Sequence, residues 1–92
     1  MTTLRIEGPF DMEHVPGWRR AIFQCLEARQ DVEIDLSGLT HIDGSGLASL
    51  VGMFQTARRR GFDCTISGAS DAVRHIIELN RPGSVLRLRR RH

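Results

Sequence analysis

The sequence predicts a single α/β domain, because segments with the period of a β-strand alternate along it with segments that have the period of a helix. The chain has 92 residues, of which 40% are hydrophobic and 26% charged, as in a soluble globular unit with one modest core. No apolar run approaches the roughly 20 residues that span a bilayer, and acidic residues interrupt any candidate secretory signal. We therefore expect one cytoplasmic domain over residues 1–92, with its core at about residues 4–86.

The N-terminal third predicts a strand and then a helix. Apolar and charged residues alternate over residues 4–7, and the breaker pair Gly8-Pro9 follows them. This pattern is typical of a short edge strand that ends at the breaker. Apolar residues then recur at helical spacing over residues 15–29. We expect that helix to bury Trp18, the only tryptophan.

The middle of the chain predicts a strand, a helix and a second strand. Residues 32–36 alternate apolar with acidic side chains, and Ser37-Gly38 ends the segment. Residues 47–57 have helical periodicity, three arginines follow in the last turn, and Gly61 is the expected C-cap. Residues 62–67 predict another strand. Strand, helix and strand together predict a right-handed parallel crossover.

The C-terminal part predicts a third helix over residues 71–79, with Ser70 as its N-cap and Arg81-Pro82-Gly83 as its end. Leu86 and Leu88 then alternate with arginines, which is the pattern of a short last strand.

The basic charge is concentrated at the C-terminus. All 13 basic residues are arginines, and four of them lie in the last six positions, namely Arg87, Arg89, Arg90 and Arg91. The residues before them carry nine arginines and eleven acidic side chains, so the body of the domain is mildly acidic. The tail, residues 87–92, could contact RNA, DNA or anionic lipid. It has no interleaved aromatic residue, however, and we favour a solvated terminus and expect no nucleic-acid binding.

The two cysteines, Cys25 and Cys64, lie on the apolar sides of predicted elements. Free cysteine commonly behaves as a small buried hydrophobic residue. The four histidines have no spacing to these cysteines that is typical of zinc sites. We expect two core thiols, no disulfide, no metal and no cofactor.

A turn made of an acidic residue, two glycines and a serine precedes the second helix. Asp43 can accept N–H groups as an N-cap, and Gly44 and Gly46 keep side-chain bulk away from the hydroxyl of Ser45. Ser45 lies in the first turn, where the helix dipole favours a phosphate. The simpler interpretation is that Asp43 caps the helix and Gly44 turns the chain, with no further role.

The segment over residues 32–48, VEIDLSGLTHIDGSGLA, closely resembles the signature of STAS domains, the sulfate-transporter and anti-sigma-factor-antagonist family. The resemblance continues through the arginines before Gly61, the strand before Ser67-Gly68 and the helix at residues 73–79. It implies a small mixed β-sheet with helices packed mainly on one side. It also implies a binding partner, and not an enzyme.

In the antagonists of this family, a partner kinase phosphorylates the second residue after the motif aspartate, and that position is Ser45. The resemblance implies that the unphosphorylated form binds an anti-sigma factor and so frees a sigma factor for transcription in a bacterial cell. The implied partner is an ATP-binding serine kinase with a histidine-kinase-like fold. The implied partner-binding residues are Asp35 and Ser37 in a neighbouring strand-end loop and Asp43, Gly44, Ser45, Gly46 and Leu47 at the start of the recognition helix.

Two departures from the family pattern keep an alternative open. The family usually has a second hydroxyl residue directly after the aspartate, where this chain has Gly44. Typical antagonists also begin with an additional strand before the one predicted at residues 4–7, and many end in a further helix where this chain has the arginine tail. The small STAS subunit of bacterial phospholipid-trafficking ABC transporters is comparably trimmed at its C-terminus. The alternative is therefore a constitutive STAS subunit that binds a transporter ATPase or a sensory complex. The sequence leaves a homodimer open, and it does not favour an enzyme built from Asp35, His41 and Asp43.

Overall fold

Three strands alternate with three helices in the computed structural model, which describes residues 1–80. This alternation confirms the α/β class. The predicted helix end at Arg81-Pro82-Gly83, the predicted last strand at Leu86 and Leu88, and the arginine tail lie outside the described residues. The elements are β1 (Thr2–Phe10), α1 (Val15–Glu27), β2 (Val32–Ile42), α2 (Gly44–Arg60), β3 (Cys64–Ser67) and α3 (Asp71–Asn80).

The described strands form a parallel sheet in the order β1-β2-β3. Each connection between neighbours runs through a helix, which is what parallel pairing requires. Among the described residues, β1 is an edge strand, as its sequence predicts. A mixed sheet needs an antiparallel strand, which is not among these three.

β1 continues past the predicted breaker pair Gly8-Pro9 and ends at Phe10. The strand continues because β2 contributes one extra residue at each of two places. The pairing moves from Arg5 with Asp35 to Glu7 with Gly38, and from Gly8 with Leu39 to Pro9 with His41. Proline is tolerated on an edge strand. Gly8 has a left-handed φ of 73°, which glycine adopts without the steric cost that a residue with a Cβ atom would have. The fully buried Phe10 anchors the extended end.

β2 likewise continues beyond Ser37-Gly38, where the sequence predicts its end. The pair lies at the first register shift and not at a strand terminus. A Cβ atom at position 38 would lie 2.9 Å from Cγ of Glu7, so glycine lets β1 pass close by. β2 therefore ends at Ile42, directly before Asp43, and Leu39 and Ile42 are buried in its second half.

One hydrophobic core joins the apolar face of the sheet to all three helices. The left-handed Gly61, with φ of 85°, ends α2 as predicted. Alternate residues of the strands are buried, and the helices contribute side chains to the same cluster, so the helices share one side of the sheet. The buried side chains include Ile6, Ile34, Leu36 and Ile66 of the strands and Val15, Leu50, Met53, Phe54, Val73 and Ile77 of the helices.

α1 covers this core less completely than the sequence predicts. Trp18 and Cys25 are only partly buried and pack against the core from its edge. Cys64 is buried, as predicted, and burial raises the pKa of its thiol to about 12. Both cysteines are free, and the high pKa of Cys64 makes it unreactive at neutral pH.

Candidate functional site

The start of α2 is held by the side chain of Asp43. Its Oδ1 atom accepts the N–H groups of Ser45 at 2.9 Å and Gly46 at 3.0 Å, which is the predicted N-cap. These hydrogen bonds, that of Gly46 above all, hold the pKa of Asp43 below its usual value. The carboxylate is therefore ionised at neutral pH and neutralises part of the positive helix end.

The loop between β1 and α1 joins the same site, which the sequence analysis missed. The N–H group of Met12 donates to Oδ2 of Asp43 at 3.1 Å. Asp11 accepts the N–H groups of Glu13 and His14 and lies 2.6 Å from Nδ1 of His14. The hydrogen bond with the His14 ring is the main reason why the pKa of Asp11 is lowered. The predicted parallel pairing could have indicated this contact, because the carboxyl ends of neighbouring parallel strands lie at the same edge of a sheet. The loops after β1 and β2 therefore meet there.

Met12 is the exposed apolar residue of this surface, with 71% of its area accessible. It follows Asp11 in the chain, and its backbone N–H group is hydrogen-bonded to the carboxylate of Asp43. A partner that covers Ser45 would therefore meet an apolar side chain and two negative charges.

The two glycines of the turn have different physical roles. A Cβ atom at Gly46 would collide with the carbonyl oxygen of Phe10 and lie 2.9 Å from Cγ1 of Ile42. Only glycine at position 46 therefore lets the first turn of α2 pack this closely against the end of β1. At Gly44, apart from the adjoining residues and the backbone of α2 itself, the described residues place no atom within 4 Å of such a Cβ atom. Gly44 is exposed, whereas Gly46 and Leu47 are buried. Of the predicted partner-binding residues at the helix start, Gly46 and Leu47 therefore support the surface from below.

Ser45 is the second residue of α2 and is partly exposed. Its own N–H group is occupied by Asp43. A phosphate on its hydroxyl would share the helix N-terminus with the Asp43 carboxylate, so the helix dipole would act on two anions at once.

Asp35 and Ser37 lie within β2 and not in a strand-end loop, which corrects the sequence analysis. Oδ1 of Asp35 accepts the N–H group of Ser37 at 2.9 Å, and this hydrogen bond is the main reason why the pKa of Asp35 is lowered. A Cβ atom at Gly68 would lie 2.6 Å from the same Oδ1 atom, so these residues form a cluster at the end of β3. Asp35 precedes Asp43 by eight residues of strand, up to roughly 26 Å at the usual rise. Asp35 lies opposite Arg5 in β1 and Ser67 in β3, inside the sheet, whereas Ser45 lies in the first turn of the helix that follows β2.

The described residues contain no group of three or more His, Cys, Asp or Glu side chains that could hold a metal ion. His41, considered as a base, is exposed on β2 and lies opposite Pro9 in the sheet. Within residues 1–80, no helix has the length and apolar character needed to span a membrane.

The family model described as STAS domain matches residues 1–87. Seventeen chains of solved structures match significantly. One of them is the anti-sigma factor antagonist SpoIIAA in its unphosphorylated form, with a TM-score of 0.70 and 14% identity over 98% of this chain and 79% of that chain. This likeness concerns the fold. No curated protein matches the sequence significantly.

Proposed function

Because the chain belongs to the STAS domain family, we propose that it is an anti-sigma-factor-antagonist-like interaction module that regulates transcription by partner switching. In this proposal, unphosphorylated Ser45 and the surface around it bind an anti-sigma factor, and phosphorylation of Ser45 releases that partner. The observation that carries the proposal is the position of Ser45, partly exposed in the first turn of a helix fixed by Asp43. We propose no enzymatic activity for the chain itself.

The proposed switch follows from the charge that a phosphate adds. Phosphoserine carries a charge of about −1.5 to −2 at neutral pH. It would lie beside the ionised carboxylate of Asp43, with Asp11 nearby in the adjoining loop. The surface would change from a neutral hydroxyl beside carboxylates to a concentrated negative patch. A partner that packs closely on Ser45 would lose both its contact and its electrostatic match.

The proposed partner is an ATP-binding serine kinase with a histidine-kinase-like fold, which is both anti-sigma factor and modifying enzyme. Phosphoryl transfer requires the serine hydroxyl to reach the γ-phosphate in line. The open space around Gly44 supports such an approach, because apart from the adjoining residues and the backbone of α2 no described atom lies within 4 Å of a Cβ atom there.

The direct test compares three substitutions at one position. Ser45→Asp should weaken binding to the purified kinase-type anti-sigma factor at least tenfold, whereas Ser45→Ala should bind within about threefold of the unmodified chain. Ser45→Asn is the matched control, because asparagine has the size of aspartate without its charge. Calorimetric titration measures all three. Equal affinities for the Asp and Asn variants would show that charge at position 45 does not control binding.

The second candidate function is a constitutive STAS subunit that binds the ATPase of an ABC transporter. The observation in its favour is Gly44, which leaves Ser45 as the single hydroxyl of the turn. Under this hypothesis the chain co-purifies with the ATPase equally well as the Ser45→Ala and Ser45→Asp variants. Release of the ATPase by the Asp variant alone would reject it.

A further inference from the structure

α1 is the helix that this fold leaves least covered. Of its residues, all of which the structure describes, only Val15 is buried. Ile22 is partly buried against the core, and Phe23 has 61% of its area exposed. Covering an exposed phenylalanine side chain with another protein surface removes apolar area from water and is therefore favourable in free energy.

A groove runs between α1 and α2 beside Phe23. Its volume is about 360 Å³. Apart from the adjoining residues and the backbone of α2 itself, the described residues place no atom within 4 Å of a Cβ atom built at Gly52, so the groove has open space there. Arg19 is the one charged residue of its lining, which otherwise includes the apolar side chains of Ile22, Phe23, Leu26 and Met53.

Two of the three charged residues of α1, Arg19 and Glu27, are placed symmetrically about Phe23, and the third, Arg20, follows Arg19 directly. Arg19 precedes it by four residues and Glu27 follows it by four, so the three side chains form one ridge along the helix. If a second α1 crosses this ridge in the antiparallel direction, with a two-fold axis at Phe23, each Arg19 lies opposite a Glu27. Such a self-complementary patch is what a two-fold symmetric dimer requires.

We infer that α1 is a self-association surface, on which a second copy of this chain docks antiparallel and places its Phe23 against the groove between α1 and α2. Glu27 is available for the contact because it is half exposed and its ion pair with Arg60, at 3.3 Å, lies at the surface. This inference does not depend on the modification of Ser45.

The size of the surface sets the expected strength. The 13 residues of α1 form a helix about 20 Å long and about 10 Å wide, so one face of it covers only about 200 Å². A standard interface buries about 800 Å² per partner. The dimer should therefore be weak, with a dissociation constant in the micromolar range.

Sedimentation velocity of the full chain, from about 1 to 500 µM, tests the dimer itself. The unmodified chain should shift from monomer to dimer over this range, and Phe23→Asp should remain monomeric. Leu79→Asp is the matched control, because Leu79 is a 70% exposed apolar residue on α3 and its loss should leave the dimer unchanged. A chain that stays monomeric throughout would overturn the inference, as would equal effects of the two variants.

A charge exchange tests the antiparallel register. Arg19→Glu places like charges at both ends of the contact, and so does Glu27→Arg, so each variant alone should dimerise at least tenfold more weakly. Mixed together, the two variants regain both opposite-charge pairs and should form a heterodimer at nearly the original affinity. Circular dichroism checks that both remain folded. If the mixture dimerises no better than the single variants, the proposed register is wrong.

Discussion

Asp43 connects three pieces of the site at the scale of single residues. Its two oxygens accept the N–H groups of Ser45 and Gly46 in α2 and that of Met12 in the neighbouring loop. The same carboxylate therefore begins the helix, positions Ser45 and joins the two carboxyl-end loops. Position 43 combines a structural and a proposed functional role.

The first prediction concerns the pH dependence of the Asp43 cap. The pKa of Asp43 is lowered in the folded state, so its contribution to stability is present above the unfolded pKa, about 3.9. It is lost as the pH falls through the folded value. Asp43→Ala should lower the urea midpoint at pH 7 more than Asp43→Asn, which keeps a cap acceptor. The difference between Asp43→Ala and the unmodified chain should shrink below about pH 4, and a constant difference across this range would contradict the role of the ionised cap.

The second prediction separates the two glycines of the turn. Gly46→Ala should destabilise the fold by about 3 kcal/mol, because its methyl group collides with the Phe10 carbonyl. Gly44→Ser has open space and should stay within about 0.5 kcal/mol of the unmodified chain. Urea unfolding measures both. Similar losses at the two positions would disprove the close contact between α2 and β1.

The sequence was sufficient to identify Asp43 as a cap and Ser45 as a first-turn residue, because capping is a local interaction. It was insufficient for Met12, whose contact with Asp43 spans 31 positions. It also misplaced Asp35 and Ser37, since their position depends on how β2 pairs with β1. Residues whose role depends on strand register could not be assigned from local pattern alone.

At the scale of elements, the helices were predicted better than the strands. The end of α2 at Gly61 has a local cause, a left-handed C-cap. The ends of β1 and β2 depend on two register shifts in their pairing. Gly8-Pro9 and Ser37-Gly38 look like strand ends in sequence, yet here they are the places where paired strands accommodate extra residues.

The third prediction concerns the two helix C-termini. After α1, the left-handed position is occupied by Arg29, with φ of 53°. After α2, it is occupied by Gly61, with φ of 85°. A side chain in this conformation costs about 1 kcal/mol relative to glycine. Arg29→Gly should therefore stabilise the domain by up to that amount, and Gly61→Ala should destabilise it similarly. Opposite signs in chemical unfolding are expected, and equal signs would show that the left-handed conformation is not the deciding factor.

At the scale of the whole molecule, Ser45 lies at the periphery of a core that does not depend on it. The buried cluster runs from the sheet through Leu50, Phe54 and Ile77 without Ser45. The α/β class followed from the sequence because strand and helix periods are each set by burial on one face. The order and parallel pairing of the described strands then follow from the helical connections between them.

The fourth prediction is that the proposed switch alters the surface and not the fold. Ser45→Asp should change the melting temperature by no more than a few degrees, because the Asp43 cap and the core contacts persist. Amide chemical shifts should move only near the start of α2 and in the loop that holds Met12. Shifts spread over β3 and α3 would instead indicate a rearrangement of the whole domain.

The most direct test of the central claim is mass spectrometry of the chain isolated from its native cells with phosphatases inhibited. No arginine or lysine lies between Arg29 and Arg58, so one tryptic peptide holds Ser45 together with four other hydroxyl residues, and fragmentation must localise the phosphate. We expect a single phosphate on Ser45 that is absent from the Ser45→Ala chain. A peptide that stays unmodified through growth and stress, or one phosphorylated elsewhere, would contradict it.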